Sequence, residues 1–292
     1  MEIQYVKIIQ TCYTTIENRV SLIEKEGEVM KILVCIKQVV DASKLEVDPS
    51  TGRINRSGAN SILNPCDRNA LEAALALKEK AGGTVTVISM GPPQAGAVLL
   101  EAVSMGADEA YLATDRAFGG ADTLATSYTL AAAVRKLGND FDLIFCGQES
   151  LDSNTAQVGP ELASMLGLSD ISAAVDFKWD NGKAIVTRQV GEGCEVLELR
   201  LPALVTAASS LNIPRYPSVS GILKKYDTEV HYLTAADLDV DPERIGLKGS
   251  PTQVKGVRTV VPPKKENLKI KDKTPVEAAA LLAEALAKVH IV

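Results

Sequence analysis

The stretch 139-NDFDLIFCGQESLDSNTAQVGPELASMLG-167 indicates how the rest of the chain is arranged. Phe141 to Cys146 is a short apolar run of the kind that is buried in a parallel sheet. Helical spacing resumes at Leu162 and Leu166, and the chain between is Gly147 followed by hydroxyl, amide and acid residues. The stretch therefore predicts a strand, a polar loop and a helix.

The predicted loop has the chemistry of an anion site. A loop at the carboxyl end of a parallel strand offers backbone N–H groups, side-chain donors and a helix N-terminus to an anion. A nucleotide phosphate is the ligand that suits these groups. The same residue types are also common in an ordinary capped loop between a strand and a helix, so this stretch alone leaves both interpretations open.

Strand and helix patterns alternate from Met30 to Gly167, which predicts a parallel sheet with helices on both faces. The first helix should start at Asn64-Pro65-Cys66-Asp67, with Asn64 as N-cap and Pro65 at the first helical position. Loops after Ile36, Ser89, Ala113 and Cys146 then face one edge of the sheet. The apolar runs that predict its strands are 31–39, 84–89, 109–113 and 141–146.

Beyond Gly167 the pattern becomes antiparallel, and the chain ends in a polar arm. Extended runs are predicted at 174–179, 184–189 and 195–201, with a buried strand at 204–207. The C-terminal helix begins at a capping box and needs a surface to lie on, such as a partner subunit. The expected fold class is an α/β parallel-sheet nucleotide-binding domain with an antiparallel addition and an extended C-terminal arm.

The chain divides into three predicted parts. Residues 1–29 are amphipathic, lack the core of a signal peptide, and precede Met30, which opens the first strand as a native start would. We expect residues 1–29 to be an extension that is not native, 30–226 to be the α/β domain, and 227–292 to be the arm.

Composition and missing motifs exclude several functions. With a net charge of −6 and 4% aromatic residues, the 292-residue chain is a poor candidate for binding nucleic acid or an anionic membrane, and no membrane insertion is expected. Five scattered cysteines without a CxxC pair predict a reduced, cytoplasmic protein and no metal site. The sequence contains no GxGxxG after a strand, no P-loop, no GxSxG and no HExxH. These absences favour a cofactor holder, and no catalytic side chain is nominated.

Several blocks, in order, resemble the β subunit of electron transfer flavoprotein from Met30 onward. They are KILVCIKQVVD at 31–41, LNPCDRNALEAALALKE at 63–79, SMGPP at 89–93, MGADEAYL at 105–112, CGQESLDSNTAQVGPELA at 146–163 and LPALVTAASSLNIPRYPS at 201–218. The resemblance implies an α/β nucleotide-binding fold that works as a heterodimer with an FAD-carrying α subunit.

The same resemblance implies a nucleotide site at defined positions of this chain. It transfers contacts to the ends of the first two strands, the start of the first helix and the loop after 146. The residues are Cys35, Asn64, Pro65, Cys66, Asp67, Met90, Gly147, Gln148, Glu149, Ser150, Leu151, Asp152, Ser153, Asn154, Thr155, Ala156, Gln157 and Val158.

Two versions of this family differ in the nucleotide. One binds AMP and passes single electrons, and the other binds a second FAD and splits the electron pair of NADH. The segment GGADTLAT at 119–126 and the Asn-Pro-x-Asp motif at 64–67 resemble the second version. Thr123 and Thr126, after Asp122, place hydroxyl donors at a helix start, where a pyrophosphate would suit them. A capped helix without a ligand explains the same residues, and AMP remains the alternative cofactor.

The resemblance also implies partners, with departures from the family pattern. Gly191 stands where the family has an acidic residue, and Val219 stands where the arm that docks a dehydrogenase has a leucine. This docking segment, near 211–226, retains Lys224 and Lys225. The implied partners are the α subunit, a flavin-dependent dehydrogenase of the lactate or 2-hydroxyacid type or of the acyl-CoA type, and, indirectly, ferredoxin. NAD(H) would be a transient substrate. A stand-alone nucleotide-binding regulator is the alternative outside this family.

Overall fold

A computed structural model describes residues 29–41, 46–47, 54–55, 61–191, 193–253, 269–271 and 273–290 of the protein. Residues 1–28 of the predicted extension lie outside the described residues, and so do residues 254–268 of the predicted arm. One compact unit holds the described chain from Val29 to Asp41 and from Ser61 to Gln253. It therefore continues past the boundary predicted at 226.

The elements of this unit alternate as the sequence predicts. Its helices are α1 (Pro65–Ala81), α2 (Gly96–Met105), α3 (Thr123–Lys136), α4 (Val158–Leu166) and α5 (Val219–Asp227). Numbered in chain order, its strands are β1 (Lys31–Cys35), β2 (Gln38–Val40), β5 (Ser61–Leu63), β6 (Thr84–Met90), β7 (Glu109–Ala113), β8 (Leu143–Gly147), β9 (Ser169–Asp180), β10 (Lys183–Val190), β11 (Gly193–Leu199), β12 (Ala203–Ala207) and β13 (His231–Leu233).

A nine-stranded sheet has the order β11-β10-β9-β12-β8-β1-β6-β7-β13. The strands from β12 to β13 in this order are parallel, and β9 to β11 form the antiparallel addition. The first residues of β9 pair parallel with β12, and its later residues pair antiparallel with β10. The predicted fold class is confirmed, and the parallel strands direct their carboxyl ends to one edge.

Helices cover both faces of the parallel strands, which explains why β1 is buried from Ile32 to Cys35. Ile32 belongs to the core with α1 and α2, and Leu33 belongs to the core with α3 and α4. Alternating side chains of one strand thus enter two different cores.

The first strand is shorter than predicted. The apolar run 31–39 predicts one strand, but β1 ends at Cys35, and β2 pairs antiparallel with β5 in a separate two-stranded sheet. The reason is a change of partner at Lys37, whose backbone N–H donates to Asp67 Oδ2 at 2.7 Å. The apolar pattern is continuous, and hydrogen bonding divides it.

A second unit contains β3 (Glu46–Val47), β4 (Ile54–Asn55) and α6 (Pro275–Lys288). The strands β3 and β4 pair antiparallel. The capping box predicted for the last helix is confirmed, since Thr274 and Glu277 exchange backbone to side-chain hydrogen bonds. None of the residues of α6 is buried.

Candidate functional site

The carboxyl ends of β1, β6 and β8 form the floor of the candidate site. Cys35 lies beside Cys146 in the register of β1 and β8, and both thiols are buried. A hydrogen bond to Cys35 and burial raise the pKa of Cys146 well above its usual value. Met90 is the last residue of β6 and pairs with Ala113, so it ends the strand and does not follow it as predicted.

Asn64 occupies the N-cap position of α1, as predicted, but its side chain does not cap the helix. Its Nδ2 donates to Glu149 O at 2.9 Å, and its Oδ1 accepts from the Leu151 N–H at 3.0 Å. Both amide atoms therefore hold the loop after β8. The side chain is 1% exposed, so these bonds are shielded from water.

Asp67, in the first turn of α1, connects this helix to the chain after β1 and to the end of β8. Its Oδ1 accepts from the Gly147 N–H at 3.1 Å, and its Oδ2 accepts from the Lys37 N–H at 2.7 Å. Burial raises the pKa of its carboxyl to about 7, against the lowering effect of these bonds. Asp67 thus ties the ends of β1 and β8 to α1.

Gly147 is required where β8 meets α1. A Cβ at this position would overlap the Asp67 carboxylate and would lie 2.8 Å from the Asp67 backbone nitrogen. Any larger residue would separate the loop from the helix start.

Lys37 is a residue that the sequence analysis does not place in the site. Its Nζ donates to Asp152 Oδ1 at 2.7 Å and to Ser150 Oγ at 3.2 Å. The apolar run 31–39 places Lys37 inside a predicted strand, so the only signal for it was a lysine close to the edge where the ligand was expected. It brings a positive charge to the loop 147–158.

The loop 147–158 is folded back on itself. The N–H groups of Ser153 and Asn154 both donate to Ser150 O, at 3.1 and 2.9 Å. Asn154 and Ala156 have φ values of 50° and 53°, in the left-handed region. Residues 151–157 are exposed, while Val158 already belongs to α4 and not to the loop. The loop presents its polar groups to solvent on a fixed base.

The start of α3 forms the other side of the site. Asp122 caps the helix through a bond from the Ala125 N–H to Oδ1 at 3.1 Å, and the Thr126 N–H donates to Asp122 O at 3.0 Å. Burial acts to raise the pKa of Asp122, but hydrogen bonds from Ala125 and Thr252 outweigh it and lower the pKa.

Thr123 connects this helix start to the loop after β8. Its hydroxyl lies 3.3 Å from Gln157 Oε1 and 3.1 Å from Glu161 Oε1. Glu161 also accepts from Ser127 Oγ at 3.1 Å. The starts of α3 and α4 are therefore neighbours, as a ligand with two phosphates would need. Glu161, which the sequence analysis does not place in the site, puts a carboxylate there.

Two further polar groups of the predicted site are the Ser89 hydroxyl and the Cys66 thiol. Ser89 Oγ, one residue before the end of β6, is buried without a hydrogen-bond partner in the described part of the chain. Cys66 is half-buried, and burial raises the pKa of its thiol. No cluster of three metal-ligating side chains exists among the described residues. The arrangement offers backbone amides, hydroxyls and one lysine, which are donors suited to phosphate.

The fold and the site define a class of α/β proteins that carry a polar loop at the carboxyl edge of a parallel sheet. Residues 51–238 match the family model described as the electron transfer flavoprotein domain. The chain is 48% identical over 263 residues to the electron transfer flavoprotein subunit beta of Clostridium acetobutylicum, with 90% of this chain and 100% of that protein covered.

Two further relatives are named as parts of complexes. The caffeyl-CoA reductase-Etf complex subunit CarD of Acetobacterium woodii is 47% identical, with 90% of this chain and 100% of that protein covered. The acryloyl-CoA reductase electron transfer subunit gamma of Anaerotignum propionicum is 37% identical with the same coverage. The chain therefore belongs to the electron transfer flavoprotein family, as a β subunit. No helix among the described residues is long and apolar enough to cross a membrane.

Proposed function

We propose that this β subunit holds an FAD at the carboxyl edge of its sheet. The observation that carries the proposal is the position of Thr123, whose hydroxyl lies within hydrogen-bond distance of Gln157 at the end of the loop. The starts of α3 and α4 and the loop 147–158 thus form one continuous polar edge. This edge has enough hydrogen-bond donors for two phosphates. AMP would use only part of it.

Three groups of residues would bind different parts of the FAD. Cys35, Met90 and the first turn of α1 lie at the strand ends and would face the adenosine. The loop 147–158, with Lys37 at its base, would face the first phosphate. Thr123 and Thr126 would donate to the second phosphate at the positive end of the helix dipole. Because a hydroxyl carries one proton, the Thr123 hydroxyl would turn from Glu161, its partner in this structure, to donate to the phosphate.

A bound flavin would supply the electron transfer chemistry, since no side chain here is suited to it. The proposed reaction exchanges electrons with NAD(H) and splits them, or joins them, between ferredoxin and a flavin-dependent dehydrogenase in the cytoplasm. The relatives named as subunits of caffeyl-CoA and acryloyl-CoA reductases support an acyl-CoA type of partner over a 2-hydroxyacid type. This subunit would act with an α subunit and not alone.

The segment 211–226 is the proposed surface for the dehydrogenase. Ile213, Tyr216 and Val219 are 94%, 87% and 79% exposed, which is unusual for apolar side chains. Arg215 fixes the segment to α1 through ion pairs with Glu72 and Glu79, which raise its pKa. The exposed side chains thus sit on an anchored base, so they are available for docking without ordering the segment first.

The test is to co-express the chain with its α subunit, denature the purified complex and identify the released nucleotides by chromatography. Two FAD per heterodimer are expected. One FAD and one AMP would overturn the FAD assignment for this subunit and favour the second candidate function, a subunit that binds AMP and supports one-electron transfer. The orientation of the Thr123 hydroxyl toward Glu161, and not into solvent, is the observation that favours this candidate.

A further inference from the structure

Residues 245–252, which are far from α3 in the sequence, hold the start of this helix through hydrogen bonds. Ser250 Oγ accepts from the Asp122 N–H at 2.8 Å and donates to Gly246 O at 2.7 Å. Thr252 donates to Asp122 Oδ2 twice, from its N–H at 3.0 Å and from its hydroxyl at 2.8 Å. Asp122 is therefore the meeting point of the helix cap and this segment.

The approach of the segment to the turn before α3 is as close as the backbone allows. The Leu247 N–H donates to Gly119 O at 3.1 Å. Gly246 has a φ of 55°, and a Cβ on it would overlap Ala117 O and lie 3.1 Å from Gly119 O. The turn 117–122 thus has little freedom to move away from the segment.

The same helix start is held from the opposite direction by α4. Thr123 bonds to Gln157 and Glu161, one residue after the position that Ser250 and Thr252 fix. Asp122 uses its two carboxylate oxygens for different partners, Oδ1 for the Ala125 N–H and Oδ2 for Thr252. A shift of Asp122 would therefore move the N–H groups of the first turn relative to the loop 147–158.

We propose that Ser250 and Thr252 are positioning residues for the phosphate-binding start of α3, acting through Asp122 without touching the ligand. The inference rests on the proposed nucleotide function and adds the part of the chain that sets its selectivity for two phosphates over one. Ser250 is 7% exposed, so its hydroxyl has no water to replace a lost partner. Removal of this hydroxyl leaves the Asp122 N–H unsatisfied at the point where α3 begins.

The experiment compares Ser250→Ala and the double variant Ser250→Ala/Thr252→Val with the wild-type full chain, using ADP and AMP in calorimetric titrations. Loss of the buried hydrogen bond from the Asp122 N–H to Ser250 should weaken ADP binding about tenfold, while AMP binding changes less than about twofold. The double variant should weaken ADP binding further. Ser104→Ala is the matched control, because Ser104 is also buried and donates to a backbone oxygen, of Glu101, in α2 on the other face of the sheet. Thr234→Val is the control for Thr252, since Thr234 also donates twice to one aspartate, Asp237.

Hydrogen exchange provides a second readout that needs no ligand. The amides of Ala125 and Thr126 should exchange faster in Ser250→Ala than in Ser104→Ala, because their cap is no longer held. Equal losses of ADP and AMP affinity, or no loss of either, would overturn the inference. If the wild type bound neither nucleotide, the proposed function would fail, and unchanged exchange at α3 would then overturn the positioning role as well.

Discussion

Two helices begin at the same edge of the sheet with an aspartate, and the two aspartates behave differently. Asp67 in α1 is 6% exposed and accepts from the backbone of two strand ends, which leaves its pKa raised to about 7. Asp122 before α3 is more exposed, caps its own helix, and has a lowered pKa. The first aspartate holds the scaffold, and the second holds the helix start that the proposed ligand would use.

The difference teaches that position in a motif does not determine the function of a carboxylate. Both residues precede or open a helix, and both satisfy N–H groups. Burial decides between them, because a carboxylate removed from water gains bonds but loses solvation. The comparison can be tested by changing each helix start separately.

The largest loss of stability is expected from Gly147→Ala, which changes the contact between β8 and the start of α1. The added Cβ overlaps the Asp67 carboxylate and faces backbone that cannot move aside. We expect the free energy of unfolding to fall by more than about 4 kcal/mol, with loss of the loop structure. Chemical denaturation measures this, with Gly193→Ala as control, because the nearest atom to its Cβ is 3.9 Å away. A loss of less than about 1 kcal/mol would show that α1 and β8 can separate freely.

Asp67→Asn tests the pKa that makes the first aspartate unusual. The unfolded carboxyl ionises near pH 4 and the folded one near pH 7, so between these values the folded state binds the extra proton. The stability of the wild type should therefore fall as pH rises through this window, by up to about 4 kcal/mol. Unfolding free energies from pH 4 to 8 should decline less in Asp67→Asn. Parallel curves for the two proteins would place the pKa of Asp67 near its ordinary value.

Asp122→Ala tests the second aspartate and should have a smaller effect, a loss of about 1 kcal/mol of stability, typical of an N-cap. Ser218→Ala is the matched control, because Ser218 caps α5 through the Gly221 N–H. ADP binding, followed by calorimetry, should weaken only in Asp122→Ala. The pH dependence should have the opposite sign to that of Asp67, since stabilisation by Asp122 is present above the unfolded pKa and is lost as pH falls. Equal ADP binding by both variants would separate the helix cap from the site.

Lys37→Met should have the smallest effect on stability. Its ion pair with Asp152 is about 40% exposed on both sides, so we expect a loss below about 1 kcal/mol. AMP affinity should nevertheless fall, because the loop 150–152 loses one of its anchors and a neighbouring positive charge. Lys183→Met, which removes the exposed pair with Glu198, is the control and should leave AMP affinity unchanged. A variant that binds AMP as well as the wild type would assign Lys37 to the scaffold alone.

The sequence predicted those parts of the fold that depend on local patterns. Buried apolar runs located β6, β7 and β8, and Pro65 after Asn64 located the start of α1 within one residue. The loop after Cys146 was predicted because its polar residues follow a buried strand. The same reasoning placed Thr123 at a helix start, where the structure has it.

The partners of these residues could not be predicted, because they are distant in sequence. Nothing near Asn64 indicates that its side chain would bond to the loop at 149–151 instead of capping α1. Lys37 looked like the interior of a strand until its N–H was found to donate to Asp67. Residues 231–233 read as part of a polar arm, yet they pair with β7, because a short edge strand needs little apolar pattern.

The hydrogen bonds that assemble the site have a consequence for folding during synthesis on the ribosome. Asp67 reaches Gly147 across 80 residues, Lys37 reaches Asp152 across 115, and Asp122 reaches Thr252 across 130. Contacts of such long sequence separation form slowly, and here they form in order as the chain emerges. The loop can be anchored once β8 and the loop itself have been made, whereas Asp122 gains its last partners only after Ser250 and Thr252 have been made. A nascent chain thus has an unfinished start of α3 until Thr252 has left the ribosome.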